Sequence, residues 1–169
     1  MSENMIRGRV WRFGDDISTD LLSPGQFALD PLEVRMRHVL ESINPSFAQD
    51  VKPGDVVVAG ANFGCGSSRE TAAENLKALG VACVAAGSLS RIFMRNAIAV
   101  GLPILICPGI GDAFAEGDPI EIDLAAGTAT NTATGTTCTG EALPEEMRRI
   151  LAAGGILEVL RLDGGTRPG

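Results

Sequence analysis

The chain has 169 residues, enough for one domain with a sizeable core. Hydrophobic residues make up 45% and charged residues 21%, which excludes a disordered chain, and a net charge of −7 argues against a non-specific nucleic-acid surface. No apolar run reaches the roughly 18–20 residues that span a bilayer, and Met1 to Asn4 lack the basic and apolar regions of a signal peptide, so a cytoplasmic location is expected.

Taken in order, Gly8 to Phe13 alternates and reads as a strand, and Gly14-Asp15-Asp16 turns out of it. Asp16, Thr19 and Asp20 form a polar cluster before Leu21-Leu22, which a local Asx or Ser/Thr turn would explain. Ser23 to Gln26 reads as a loop. Asp30 then caps a helix with Pro31 at its first position and Leu32, Met36, Val39 and Leu40 at helical spacing. Arg35 and Arg37 on this helix read as solvated. His38, the only histidine, has no cysteine or histidine neighbour for a metal site and reads as a surface or satisfied residue.

Val56 to Ala59 is an apolar strand, and Glu70 to Leu79 is a helix with Ala72, Leu76 and Leu79 as its buried stripe, stopped by Gly80. Val81 to Ala85 reads as a second strand, apolar enough to be buried on both faces, completing a β-α-β unit. Ser88 to Val100 is a second helix and Pro103 to Cys107 a third strand. Ile110 to Glu116 reads as a short helix and Pro119 to Asp123 as an alternating strand. Gly127 to Thr139, rich in threonine, reads as strands and turns. Pro144 to Ala153 is a helix, and Ile156 to Leu162 a final strand or extended segment. Residues 163–169, with three glycines and a proline, read as a disordered tail beyond a single domain over residues 1–162.

The chemistry concentrates in Asn62-Phe63-Gly64-Cys65-Gly66-Ser67-Ser68-Arg69-Glu70, between the strand at 56–59 and the helix from 70. Gly64 and Gly66 permit positive φ or close approach to a ligand. A helix start carries unpaired N–H groups and the positive end of the macrodipole, and Arg69 adds a donor fork suited to a carboxylate or phosphate. This is an anion site with an ionisable serine. Ser67-x-x-Glu70 also fits a capping box, in which the serine only satisfies backbone donors. The third glycine of a dinucleotide fingerprint is replaced by Arg69, and no Gly-Lys-Ser/Thr of a P-loop follows.

This loop, followed by "GSLSRIFMRNAIAVGLPIL", resembles the small subunit of 3-isopropylmalate dehydratase, the swivel domain of the aconitase superfamily. "GDDISTDLLSPGQF" and "DVKPGDVVVAG" resemble the same family's opening and the lead-in to its serine loop. The resemblance covers most of residues 7–162. It implies an α/β fold, the swivelling β/β/α domain of the aconitase C-terminal and isopropylmalate dehydratase small-subunit type. It further implies a heteromeric hydro-lyase that dehydrates a 2-hydroxy acid and rehydrates the alkene, in leucine biosynthesis for 3-isopropylmalate. Ser67 matches the family's serine base, with Gly66, Ser68 and Arg69 binding substrate carboxylate. The Lewis acid for the leaving hydroxyl is expected on a separate large subunit as a [4Fe–4S] cluster. Cys65, Cys83, Cys107 and Cys138 include no C-x-x-C pair, so no metal site and no cofactor bound by this chain are expected.

Arg91 and Arg95 match the arginines of the family's "SRIFMRNA" segment, as site residues or as surface charge. The family's substrate loop corresponds to Gly25 to Asp30. Here Gln26, Phe27, Ala28 and Leu29 carry no basic residue, and Thr71 stands where many relatives have His. Apolar Phe27, Ala28 and Leu29 suit a hydrocarbon substituent better than a third carboxylate. This favours 3-isopropylmalate or another alkyl malate, such as a methyl- or dimethylmalate, over a homoaconitase substrate. A non-catalytic swivel-fold module that binds anions remains the alternative, and the free subunit is expected to leave the Ser67 loop open and the segment from Gly25 to Asp30 mobile.

Overall fold

The computed structural model describes residues 4–164. In chain order the elements are β1 (Met5–Arg12), α1 (Thr19–Leu22), α2 (Leu32–Arg35), α3 (Phe47–Asp50), β2 (Val56–Ala59), α4 (Glu70–Ala78), β3 (Cys83–Ala86), α5 (Arg91–Val100), β4 (Ile104–Ile106), α6 (Ile110–Ala113), β5 (Pro119–Asp123), β6 (Thr128–Asn131), β7 (Thr137–Thr139), α7 (Glu145–Ala153) and α8 (Ile156–Gly164). Single 3-10 turns lie at Gly25–Phe27 and Met36–His38.

The strands form one sheet in the order β4-β3-β2-β1-β5-β6-β7. β1 to β4 run parallel, and β5 to β7 continue antiparallel from the other edge of β1. A bridge between Ile106 and Glu141 brings the two ends of the sheet together, so the sheet curls on itself. Every residue of β2 and β3 is buried, which explains their unbroken apolar sequence: helices cover both faces of a parallel sheet. Threonine-rich β6 and β7 alternate or face water and need no bulky side chains. α5 packs against α4, α7 and α8.

This is the α/β swivel architecture expected, with two corrections. The segment from Ile156 to Leu162 is helix, not strand. Ile156 and Val159, one helical turn apart, line a groove with Met94, Ile98, Met147 and Ile150, and only a helix puts that spacing on one face. α8 runs to Gly164, and the rest of the expected disordered tail, residues 165–169, lies outside the described residues. The helix read from Asp30 to Leu40 is one turn of α-helix and one of 3-10 helix. Pro31, not Asp30, is its N-cap, and no side chain caps it. It ends where Val39 turns to extended backbone, and Leu40, fully buried, then adopts φ +60° and donates its backbone N–H to the Leu21 carbonyl at 2.8 Å. A left-handed leucine is costly and persists only where burial and bonding hold it.

Candidate active site

β2 delivers the chain at the C-terminal end of the parallel strands, where open α/β sheets bind ligands. The loop that follows is gripped from two sides. On one side, Gly64 donates its N–H to the Ile17 carbonyl at 2.7 Å, and Thr19 donates its N–H to the Cys65 carbonyl at 2.8 Å. On the other, Phe63 donates its N–H to the Ser88 carbonyl, and Ser90 donates its N–H back to the Phe63 carbonyl. Gly64 is required here: at φ +80° a Cβ would stand 2.3 Å from the Phe93 Cβ.

Side chains complete the grip. Buried Thr19 donates its Oγ1–H to the Ser67 carbonyl at 2.8 Å. Ser90, the N-cap of α5, donates its Oγ–H to the Gly64 carbonyl at 2.8 Å and accepts the Phe93 N–H. Asn62, at φ +63°, donates Nδ2–H to the Asp16 carboxylate at 3.0 Å, and Asp16 is itself at φ +56°. Asp16 and Thr19 therefore reach across the chain to the loop, and the local turn reading is too small for them. Thr71 and Ser23 share a hydroxyl–hydroxyl bond of 2.6 Å, so the threonine at 71 ties α4 to the segment after α1.

Ser67 and Ser68 are exposed, and neither hydroxyl has a partner among the described residues. The capping box does not form: Arg69 is the N-cap of α4, and no side chain caps it. The backbone N–H groups of Gly66, Ser67, Ser68 and Arg69 likewise donate to no acceptor among the described residues. Four free donors ahead of a nine-residue helix, beside a guanidinium, make a site that favours negative charge.

Arg69 is the residue whose setting the linear sequence hid. It donates Nη1–H to the Asp20 carboxylate at 2.8 Å and to the Ser23 carbonyl at 2.6 Å. That hydrogen bond, with a second from the Gly25 N–H, holds the Asp20 carboxyl below the ordinary aspartate range. Arg69 thus sits at the root of the Gly25 to Asp30 segment. Arg35, read as solvated, is a tie at the other end: its side chain, 11% exposed, pairs with Glu74 at 2.6 Å and Asn75, and it donates Nε–H to the Asp30 carbonyl. Between these ties Phe27 is half-buried, stacked on His38, while Gln26, Ala28 and Leu29 face solvent. The segment is anchored within this chain, not free to await a partner. Arg91 and Arg95 are exposed and unpaired among the described residues.

Cys83 and Cys107 are buried, and burial raises both thiols, Cys107 to about 11 with a contribution from nearby Cys138. Groups held as neutral thiols are poor metal ligands. Among the described residues no cluster of three or more His, Cys, Asp or Glu is arranged to hold a metal ion. No helix of the described residues is long and apolar enough to cross a membrane.

A curled α/β sheet with a glycine–serine loop leading into a helix defines a swivel domain of the aconitase C-terminal type. Residues 37–107 match the Aconitase C-terminal domain. The chain is 50% identical over 163 residues to 3-isopropylmalate dehydratase small subunit 1 of Methanopyrus kandleri, covering 95% of each. It is 46% identical to the isopropylmalate/citramalate isomerase small subunit of Methanocaldococcus jannaschii, covering 94% of this chain and 95% of the other. The crystal structure of a 3-isopropylmalate dehydratase chain from the same organism superposes with a TM-score of 0.88 at 41% identity, covering 95% of both. The chain belongs to the family of 3-isopropylmalate dehydratase small subunits, and it is therefore a hydro-lyase subunit.

Proposed function

We propose that the chain supplies the base and the carboxylate site of a heteromeric dehydratase acting on an alkyl-substituted malate, with 3-isopropylmalate as the leading substrate. The observation that carries this reading is the pair of free, exposed serine hydroxyls on a loop pinned from both sides, backed by four free N–H donors. A proton on carbon beside a carboxylate is weakly acidic, so its removal needs a strong base. An alkoxide at Ser67 is stabilised by the helix start and by Arg69, both of which lower the energy of negative charge there. Ser68 and the Gly66 N–H donate to the substrate carboxylate, and the free face of the Arg69 guanidinium completes the clamp.

The leaving hydroxyl needs a Lewis acid, which a [4Fe–4S] cluster on a large partner subunit would supply. Family relatives are named as small subunits, which supports such a partner. In this arrangement the chain works in the cytoplasm, joins the large subunit through the face that bears Ser67, and binds neither nucleic acid nor membrane. Residues 1–162 act as one swivel unit. The exposed apolar side chains Ala28 and Leu29, with no cation on the loop, favour an alkyl substituent over a third carboxylate.

The test is Ser67→Ala in the complex assembled anaerobically with its large subunit, assayed by hydration of an alkyl maleate. Turnover is expected to vanish with the melting temperature unchanged, because Ser67 caps nothing. A loss of only a few-fold in kcat would remove Ser67 from the role of base.

A further inference from the structure

His38 is the only histidine of the chain, and the chemistry assigned to Ser67 and Arg69 makes no use of it. Its ring lies parallel to that of Phe27, with centroids 3.6 Å apart and an interplanar angle of 4°. Its Nδ1 is 2.8 Å from a Glu41 carboxylate oxygen, which fixes the rotation of the imidazole. Its backbone is fixed independently, because the left-handed, fully buried Leu40 two residues on is bonded to the Leu21 carbonyl, next to Asp20. The imidazole is therefore a rigid plate at a set distance from the Arg69–Asp20 pair. A recess of about 350 Å³ has both His38 and Asp20 in its wall, with Gly25, Gln26 and Glu41 among others.

The holds on the loop differ in kind: Asp20 accepts the Gly25 N–H, and the N–H groups of Phe27, Ala28 and Asp30 donate to the carbonyls of Pro24, Gly25 and Phe27. Arg69 and Arg35 grip its ends through the Ser23 and Asp30 carbonyls, which any side chains in between would permit. Only the stack acts on a side chain inside the loop, and it holds Phe27 half-buried. With Phe27 turned onto His38, Ala28 and Leu29 are the apolar groups left facing outward. The parallel contact at 3.6 Å covers one face of each ring, so Phe27 leaves the plate only by exposing apolar surface to water.

We propose that His38 is a positioning residue for substrate selectivity: by stacking on Phe27 it holds the Gly25 to Asp30 loop so that Ala28 and Leu29 meet the alkyl group of the malate. This rests on the dehydratase reading and adds to it the residue that sets the loop's geometry.

Two measurements test it. In the full chain, the ring protons of the single histidine give unambiguous NMR signals. Stacking shifts them upfield, and Phe27→Leu should return them toward free imidazole values; no change would overturn the proposal. In the assembled complex, the ratio of kcat/KM for 3-isopropylmalate over citramalate is compared for wild type, His38→Gln and His38→Phe. His38→Gln should reduce the ratio about tenfold, mainly through KM, the scale of a few misplaced methylene contacts. His38→Phe, which keeps a stacking plate, should restore it. An unchanged ratio in an active His38→Gln complex overturns the proposal, as does an equal loss on both substrates with a lowered melting temperature. Inactivity of the wild-type complex on both malates would instead overturn the dehydratase reading, and the proposal with it.

Discussion

Arg69 Nη1 lies 2.8 Å from Asp20 Oδ1, so the residue next to the serine pair also holds the root of the loop expected to read the substrate. Part of the guanidinium's donor capacity is spent within the chain, on Asp20 and the Ser23 carbonyl. The proposed base, clamp and specificity segment are thereby connected through one side chain.

Arg69→Lys should therefore fail in two ways. An ammonium keeps the charge but cannot reach Asp20, the Ser23 carbonyl and a substrate carboxylate in one plane. A fall in kcat/KM of about 100-fold or more is expected, with KM raised as well as kcat lowered. Asp20→Asn, which frees the guanidinium but leaves it intact, should raise KM and spare kcat. Equal kinetics for Arg69→Lys and wild type would separate Arg69 from the carboxylate site.

The pH dependence of the same pair has a definite sign. Asp20 is shifted down by the Arg69 hydrogen bond first and the Gly25 N–H second. A carboxyl depressed in the folded state contributes fully above its unfolded value, about 3.9, and loses that contribution as pH falls through the lower folded value. The clasp should therefore be constant through neutral pH and open only in strong acid. A carbon-detected NMR titration of Asp20 should give a midpoint below the ordinary aspartate value, and Arg69→Gln should move it up. A midpoint at or above the ordinary value would contradict the pairing. Because the Asp20 side chain is 70% exposed, little change in global stability is expected.

The parallel core was legible because its cause is local: β2 and β3 are apolar on both faces, and glycines or a serine cap punctuate the helices between them. The place of the serine loop between β2 and α4 was legible as well, since glycines and hydroxyls interrupt the apolar strand before the helical pattern starts. What could not be read were roles that depend on partners far along the chain. Thr19 serves Ser67, Arg35 serves Asp30 and Glu74, and His38 serves Phe27. A threonine in a polar turn, or an arginine on a short helix, has the same local pattern whether it faces water or another segment. The segment from Ile156 was misread for a related reason. Gly154-Gly155 suggests the end of helical structure, yet both glycines take positive φ and form the corner between α7 and α8.

Thr19→Val tests whether loop position controls catalysis. The substitution keeps the shape and removes only the hydroxyl that donates to the Ser67 carbonyl at 2.8 Å. Ser67 is exposed, so water can replace the lost donor, and stability should fall by no more than about 1 kcal/mol, or roughly 2–4 °C in Tm. Displacing a catalytic group by a fraction of an ångström costs far more in rate than in stability, and kcat should fall by about tenfold or more. Parallel measurement of kcat and Tm checks this; a full-rate variant would show that Thr19 only fills the core.

Gly64→Ala should act on folding first. The backbone there is at φ +80°, which costs an L-residue about 1–2 kcal/mol, and the new methyl would overlap Phe93 at 2.3 Å from its Cβ. Phe93 is fully buried against Phe63 in an edge-to-face pair, so it has nowhere to retreat. Overpacking of this kind adds about 1–3 kcal/mol, for a total near 3 kcal/mol. Denaturant unfolding should show a lower midpoint with an unchanged slope. The comparison is Gly66→Ala, also at positive φ (+100°) but meeting nothing nearer than the Thr19 hydroxyl at 3.3 Å. That variant should fold with a smaller loss and lose activity instead, because its methyl crowds the Thr19 hydroxyl that holds the Ser67 carbonyl. If both variants lose the same stability, backbone conformation alone accounts for the requirement at Gly64. If Gly64→Ala loses clearly more, the close approach of α5 to the serine loop is what demands glycine.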